Sequence, residues 1–180
     1  GSRDVGLHIY KSLAKPQKGQ IWLKRLIAEM GGKNAHIIDS ECDLEAAVLG
    51  TMQAAFGRQG QKCSSCSRAI VDEKVYDQFI QMLIEQTRKL RVGPSEDFLN
   101  NMGPVINQDA FDKIMDYIEV GKSEGKLVLG GNGDCSRGFF IEPTIFTDVA
   151  WNARIAQEEI FGPVLTVIKA KDFDDAILLQ

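Results

Sequence analysis

Cys63 lies in a short polar loop, Gly60-Gln61-Lys62-Cys63-Ser64-Ser65-Cys66-Ser67-Arg68. A helix-like segment precedes the loop, and the apolar run Ala69-Ile70-Val71 follows it. The thiolate is the nucleophilic form of cysteine, and nearby positive charge or a helix N-terminus favours it. Lys62 and Arg68 are the residues that could supply such a field. A second stretch, Ala28-Glu29-Met30-Gly31-Gly32-Lys33-Asn34, offers a carboxylate, Glu29, at the end of one element and the start of a loop. A thiol and a carboxylate brought to one cleft suit covalent catalysis. The sulfur attacks an electrophilic carbon, and the carboxylate then activates the water that releases the acyl group. The plainer alternatives are a buried structural thiol beside a basic surface loop and a solvated glutamate at a strand end.

Cys63 and Cys66 also form a C-x-x-C pair, which opens two other chemistries. A structural zinc site needs four ligands. Cys42 and Cys135 are isolated, and His8 and His36 form no H-x-H pair. A thioredoxin-like motif opens a helix, whereas the residues after Cys66 read as a strand. A third alternative is a folding or oligomerisation domain without catalysis. Near the start, Gly1-Ser2 feeds a helix whose free N–H groups suit a phosphate; the same two residues read equally well as a cloning scar.

The elements that must position these residues follow from pattern. Residues 7–14 read as a helix ending before Pro16. Residues 21–28 are rich in residues that suit a pleated sheet and read as a strand, closed by the break at Gly31-Gly32. Residues 35–38 form a second short strand. Asp43 is placed to cap a helix over 44–56, where Leu44, Ala47, Val48, Met52, Ala55 and Phe56 recur at helical spacing. Gly57 and Gly60 end that helix and deliver the chain to Cys63. A third helix carries Val75, Phe79, Met82, Leu83 and Leu90 and stops at Gly93-Pro94. Residues 95–103 read as a polar, mobile loop. Asn107 caps a fourth helix, 126–129 is a strand, and 140–146 is extended. A further strand follows the Gly162-Pro163 break, and 172–180 begins another helix. Strands alternating with helices predict an α/β layer structure. The start ahead of one helix and the stop inside another point to a piece of a longer enzyme.

Composition bounds the rest. The net charge of −4, with no Lys/Arg run, argues against a nucleic-acid surface. No apolar run reaches the roughly 18 residues of a membrane span, so no membrane partner is expected. Four unevenly spaced cysteines among 180 residues fit reduced thiols in a cytoplasmic compartment better than a disulfide framework.

The segment around Glu29 resembles the glutamate signature of the aldehyde dehydrogenase superfamily. Phe56-Gly57-Arg58-Gln59-Gly60-Gln61-Lys62-Cys63 resembles its cysteine signature, in the same order and at similar spacing. Gln157-Glu158-Glu159-Ile160-Phe161-Gly162-Pro163 is similar to a third family segment, in which a Glu and a Phe contact the nicotinamide ribose. Gly1-Ser2-Arg3-Asp4-Val5-Gly6 is similar to the segment that meets the cofactor pyrophosphate. Residues 21–29 and 60–68 most resemble the branch that oxidises glutamate 5-semialdehyde in proline and arginine breakdown. Ser65 departs from the alanine that the family more often has.

The resemblance implies a three-layer α/β/α catalytic domain over 33–180, with 1–32 the remnant of a Rossmann-type cofactor domain. It implies NAD, with NADP not excluded, a small aldehyde substrate and a homo-oligomeric parent. It implies Cys63 as nucleophile passing through a thiohemiacetal and a thioester, Glu29 as the base for hydrolysis, and Ser64 against the substrate's carboxylate. Glu159 and Phe161 would lie on the nicotinamide ribose, with Gly1 and Ser2 near the pyrophosphate. The family places an oxyanion-hole Asn upstream of these blocks, and an aldehyde-anchoring loop and oligomerisation segment downstream.

Overall fold

A computed structural model describes residues 1–180, which divide into two compact units, Gly1–Gly32 and Lys33–Gln180. The first unit holds one helix, α1 (Arg3–Leu13). It begins earlier than the residue pattern predicts, because Ser2 caps it: the Ser2 hydroxyl accepts from the Val5 N–H at 3.3 Å. Residues 21–28 do not form the predicted strand. Ile21, Leu23 and Ile27 are 82, 91 and 90% exposed, and no strand pairs with them. Sheet propensity describes a fit to a half-buried pleated surface, and without a partner to supply the ladder the segment has no sheet to join.

The second unit is built on a five-stranded sheet. Its strands, with the helices between them, are β1 (Asn34–Ile38), α2 (Leu44–Phe56), β2 (Cys66–Asp72), α3 (Tyr76–Thr87), α4 (Gln108–Glu124), β3 (Lys126–Leu129), β4 (Gly133–Asp134), β5 (Phe140–Ile141), β6 (Thr144–Thr147), α5 (Arg154–Gln157), β7 (Val164–Ala170) and α6 (Phe173–Leu179). The sheet order is β1-β2-β7-β6-β3. The first four are parallel to one another, and β3 runs antiparallel to β6 at the edge. β4 and β5 form a separate two-stranded ribbon, and the predicted extended stretch at 140–146 carries β5 and most of β6.

Both faces of this sheet are covered, which explains why its central strands bury apolar residues on both sides. Ile70 of β2, Phe146 of β6 and Ile168 of β7 pack with Ile114 and Ile118 of α4, Ile155 of α5 and Ala176 of α6. Their neighbours Ala69, Val71, Ile145, Leu165 and Val167 face the other way, onto Val48 and Phe56 of α2 and Phe79 and Leu83 of α3. The result is three layers, helix on sheet on helix. Asp43 caps α2 through its side chain on the Ala46 N–H at 3.1 Å, and Asn107 caps α4 on the Ala110 N–H at 2.9 Å, both as the sequence predicts. α3 stops at Thr87, well before Gly93. Residues 91–102 close into a loop, with the Gly93 N–H donating to the Met102 carbonyl at 3.0 Å and the Asn101 N–H to Arg91 at 2.8 Å. No helix is long and apolar enough to cross a membrane.

Candidate active site

Parallel strands bring the loops that enter them to one edge of the sheet. The cysteine loop enters β2, the segment 158–163 enters its neighbour β7, and Asn34 opens β1 on the other side of β2. Cys63, Ser64, Glu159 and Phe161 therefore share the N-terminal edge of the sheet. After α2 the chain turns sharply through Arg58 and Gln59, both with left-handed backbone (φ 54° and 57°), and then Gly60 (φ 68°). Gly60 meets the second loop: a Cβ on it would stand 2.2 Å from the Gly162 carbonyl oxygen. Only glycine permits that approach.

Cys63 occupies a turn closed by the Ser65 N–H on the Lys62 carbonyl at 3.1 Å. Its thiol is free and the residue exposed, as is Ser64. The Cys63 N–H makes no hydrogen bond within the chain, which leaves it available to an incoming oxygen. Ahead of the turn, the Gln61 side chain accepts from the Ile106 N–H at 3.1 Å. Behind it, the Asn34 side-chain amide donates to the Cys63 carbonyl at 2.7 Å and the Ser65 carbonyl at 3.3 Å. Cys66 is different in kind. It is buried in β2, donates its S–H to the Arg68 carbonyl at 3.3 Å, and burial pushes its thiol up to about 11. All four cysteines are free thiols.

Arg68, expected as a source of positive field, spends its guanidinium on backbone carbonyls. It is buried, and one guanidinium nitrogen donates to the Lys33 carbonyl at 2.7 Å and the Gln180 carbonyl at 2.9 Å. Its charge bears on the Cys66 thiol. Lys33, beside it, has an Nζ that is buried without a hydrogen-bond partner. Burial first, and Arg68 second, pull that amine below its usual 10.5 to about 8, while Glu159 and Glu158 partly oppose the fall.

The loop into β7 is held by α4. Tyr117 and Arg154 both donate to the Glu158 carboxylate, at 2.5 and 2.8 Å, and keep it below the usual carboxylate range. Lys113 donates to the Glu159 carbonyl at 3.0 Å. Phe161 has left-handed backbone (φ 60°), costly for an aromatic residue, and the residue is 41% exposed.

Within the first unit, Glu29 is exposed, and its carbonyl accepts from the Gly1 amine at 2.9 Å. Gly1 and Ser2 stand at the start of α1, where the Arg3 and Asp4 N–H groups have no acceptor in the chain. A helix start of this kind accommodates a phosphate. Asn34, Lys33 and the Gly60–Gly162 approach had no signal in the sequence beyond lying inside the signature blocks, and Lys113, within α4, had none at all. Their partners are distant along the chain.

The model of the aldehyde dehydrogenase family matches residues 1–180. The chain is 59% identical over 177 residues to the 1-pyrroline-5-carboxylate dehydrogenase of Geobacillus thermodenitrificans, covering 98% of this chain and 34% of that protein. It is 56% identical over 179 residues to the protein of the same name from Bacillus cytotoxicus, covering 99% and 35%. Among solved structures it resembles a Thermus 1-pyrroline-5-carboxylate dehydrogenase with bound NAD, with TM-score 0.94, 46% identity, and 99% and 34% coverage. It also resembles a Staphylococcus aureus betaine aldehyde dehydrogenase in complex with NAD+, with TM-score 0.90, 36% identity, and 99% and 35% coverage. The chain thus spans about a third of the length of the relatives it matches.

Proposed function

The chain belongs to the aldehyde dehydrogenase family, and from that membership we propose that its whole protein oxidises glutamate 5-semialdehyde to glutamate with Cys63 as the nucleophile. The observation that carries the reading is the exposed Cys63 thiol on a turn fixed from both sides, with its own N–H unused. The substrate follows from identity: 59% to a 1-pyrroline-5-carboxylate dehydrogenase against 36% to a betaine aldehyde dehydrogenase.

In this reading the Cys63 sulfur adds to the aldehyde carbon. The Cys63 N–H donates to the oxygen that becomes negative, which stabilises charge as it develops. Ser64, next to the nucleophile and exposed, donates to the substrate's own carboxylate. Glu159 and Phe161 would hold the nicotinamide ribose, and Gly1 and Ser2 at the start of α1 would serve the pyrophosphate. NAD, or NADP, supplies the hydride acceptor when bound. Oxidation leaves a thioester on Cys63. Glu29 takes a proton from water, the resulting hydroxide adds to the acyl carbon, the C–S bond breaks, and the Cys63 thiolate leaves. Residues 1–32 belong, in this reading, to the cofactor domain and 33–180 to the catalytic domain. The parent is a homo-oligomer in a compartment that keeps thiols reduced.

The test is the whole protein carrying Cys63→Ala or Cys135→Ala, assayed for NADH formation from glutamate 5-semialdehyde and from betaine aldehyde. Loss of activity with the first variant alone, and preference for the first substrate, are expected. Equal losses for the two variants would refute the nucleophile, and preference for betaine aldehyde would refute the substrate.

A further inference from the structure

Asn34 stands where the sheet ladder gives out. β1 and β2 pair Asn34 with Cys66, the register then shifts, and regular pairing resumes at Ala35 with Arg68. Cys63, Ser64 and Ser65 lie beyond the first pair, so the ladder supplies no donor to their carbonyls. One side chain does so instead. The Asn34 amide nitrogen donates to the Cys63 carbonyl at 2.7 Å and the Ser65 carbonyl at 3.3 Å. A carboxamide nitrogen carries two hydrogens, enough for both acceptors.

The frame behind Asn34 is itself tied down. Its carbonyl accepts from the Ser67 hydroxyl at 3.3 Å, and the Ser67 carbonyl accepts from the Thr166 hydroxyl of β7 at 3.1 Å. The preceding carbonyl, that of Lys33, accepts from buried Arg68 at 2.7 Å. β1, β2 and β7 thereby share one polar seam, and its last link is the grip of Asn34 on the cysteine turn.

We propose that Asn34 is the positioning residue of the nucleophile: its carboxamide fixes the backbone of the 62–65 turn and so sets where the Cys63 sulfur and N–H point. The inference rests on the reading of Cys63 as nucleophile. Bound carbonyls at Cys63 and Ser65 hold the turn on both sides of Ser64. A turn free to rotate about those peptides would carry the sulfur and the N–H away from a common carbon and oxygen. Misplacement of reacting groups by about 1 Å costs on the order of 100-fold in rate, so the loss of one clamp bears mainly on the chemical step.

The experiment compares Asn34→Ala, which has no donor, with Asn34→Ser, which keeps a shorter one, in the whole protein. Three quantities are read: kcat and KM for aldehyde and NAD, the rate of iodoacetamide alkylation at Cys63 with exposed Cys135 as internal reference, and the melting temperature. The expected result for Asn34→Ala is a fall in kcat of about tenfold, KM values within about twofold, and a Cys63-to-Cys135 alkylation ratio changed at least about threefold. Asn34→Ser should recover part of the kcat. The proposal is overturned if kcat stays within about twofold, or if the alkylation ratio is unchanged while only the melting temperature falls. Should Asn34→Ala fail to fold, the same readouts on Asn34→Ser decide. Activity surviving in Cys63→Ala would instead remove the reading on which the proposal stands, and that outcome is separate from those of Asn34.

Discussion

At the residue scale, the orphaned polar groups of the site make two predictions. Ser65 is only 7% exposed, and its hydroxyl finds no partner. A buried hydroxyl left unpaired costs about 1–3 kcal/mol. Ser65→Ala should therefore stabilise the chain by about 1 kcal/mol, read as a higher denaturant midpoint; a lower midpoint would mean that the hydroxyl is paired in solution. Lys33 carries a pH signature. Its amine falls from 10.5 to about 8 on folding, so between those values the unfolded chain holds more protons than the folded one. The cost of burying it is fully present below about pH 8 and relieved as pH rises to 10.5. Lys33→Met should exceed the parent in stability at pH 7 by on the order of 2 kcal/mol, and the gap should close by pH 10.5. A gap that does not vary with pH would contradict this. The exposed polar turn that carries Cys63 was legible in the sequence, because a cysteine behind Gly60 and Lys62 in a polar stretch is a local pattern. Asn34 was not, since its acceptor lies 29 residues away. The partners of Arg68 were hidden for the same reason: Lys33 and Gln180 are 35 and 112 residues distant.

At the scale of elements, two glycines on one stretch of chain should respond in opposite directions. Gly50 lies in α2 with open space where its Cβ would be. Gly50→Ala should stabilise by about 0.5–1 kcal/mol, the ordinary gain in helix propensity. Gly60→Ala meets both a left-handed backbone and the Gly162 carbonyl at 2.2 Å. It should cost roughly 2 kcal/mol or more and slow catalysis, because it parts the loops entering β2 and β7. Thermal melts of the two variants check the pair; equal melting temperatures would deny the close approach. α2 and α4 were predicted with their side-chain caps because the signal is local: Asp43 or Asn107 ahead of an apolar stripe at helical spacing. β1, β2 and β7 were legible as apolar runs bounded by breaks. Residues 21–28 misled because their composition suits a sheet, while strand formation depends on a neighbour that propensity cannot see.

At the scale of the whole molecule, the two residues of the proposed chemistry fall in different units. Cys63 belongs to Lys33–Gln180 and Glu29 to Gly1–Gly32. If Glu29 serves hydrolysis alone, Glu29→Gln in the whole protein should keep a rapid burst of NADH and lose about 100-fold or more in steady-state turnover, within the range of general-base catalysis. A rapid-mixing trace without a burst would move Glu29 to an earlier step. The α/β class was legible from the alternation of strands and helices. The order β1-β2-β7-β6-β3 was not, because nothing local tells β2 to pair with a strand that begins far along the chain. That pairing has a consequence in time. The Thr166–Ser67 bond spans 99 residues, and the loop that Gly60 touches arrives only with β7. Contacts of such separation carry a loop-closure cost and form slowly. During synthesis, Cys63 emerges long before the strand that completes its surroundings. The newborn chain thus carries the Cys63 thiol well before its turn is enclosed, and the loop that meets Gly60 closes over it only once β7 is in place.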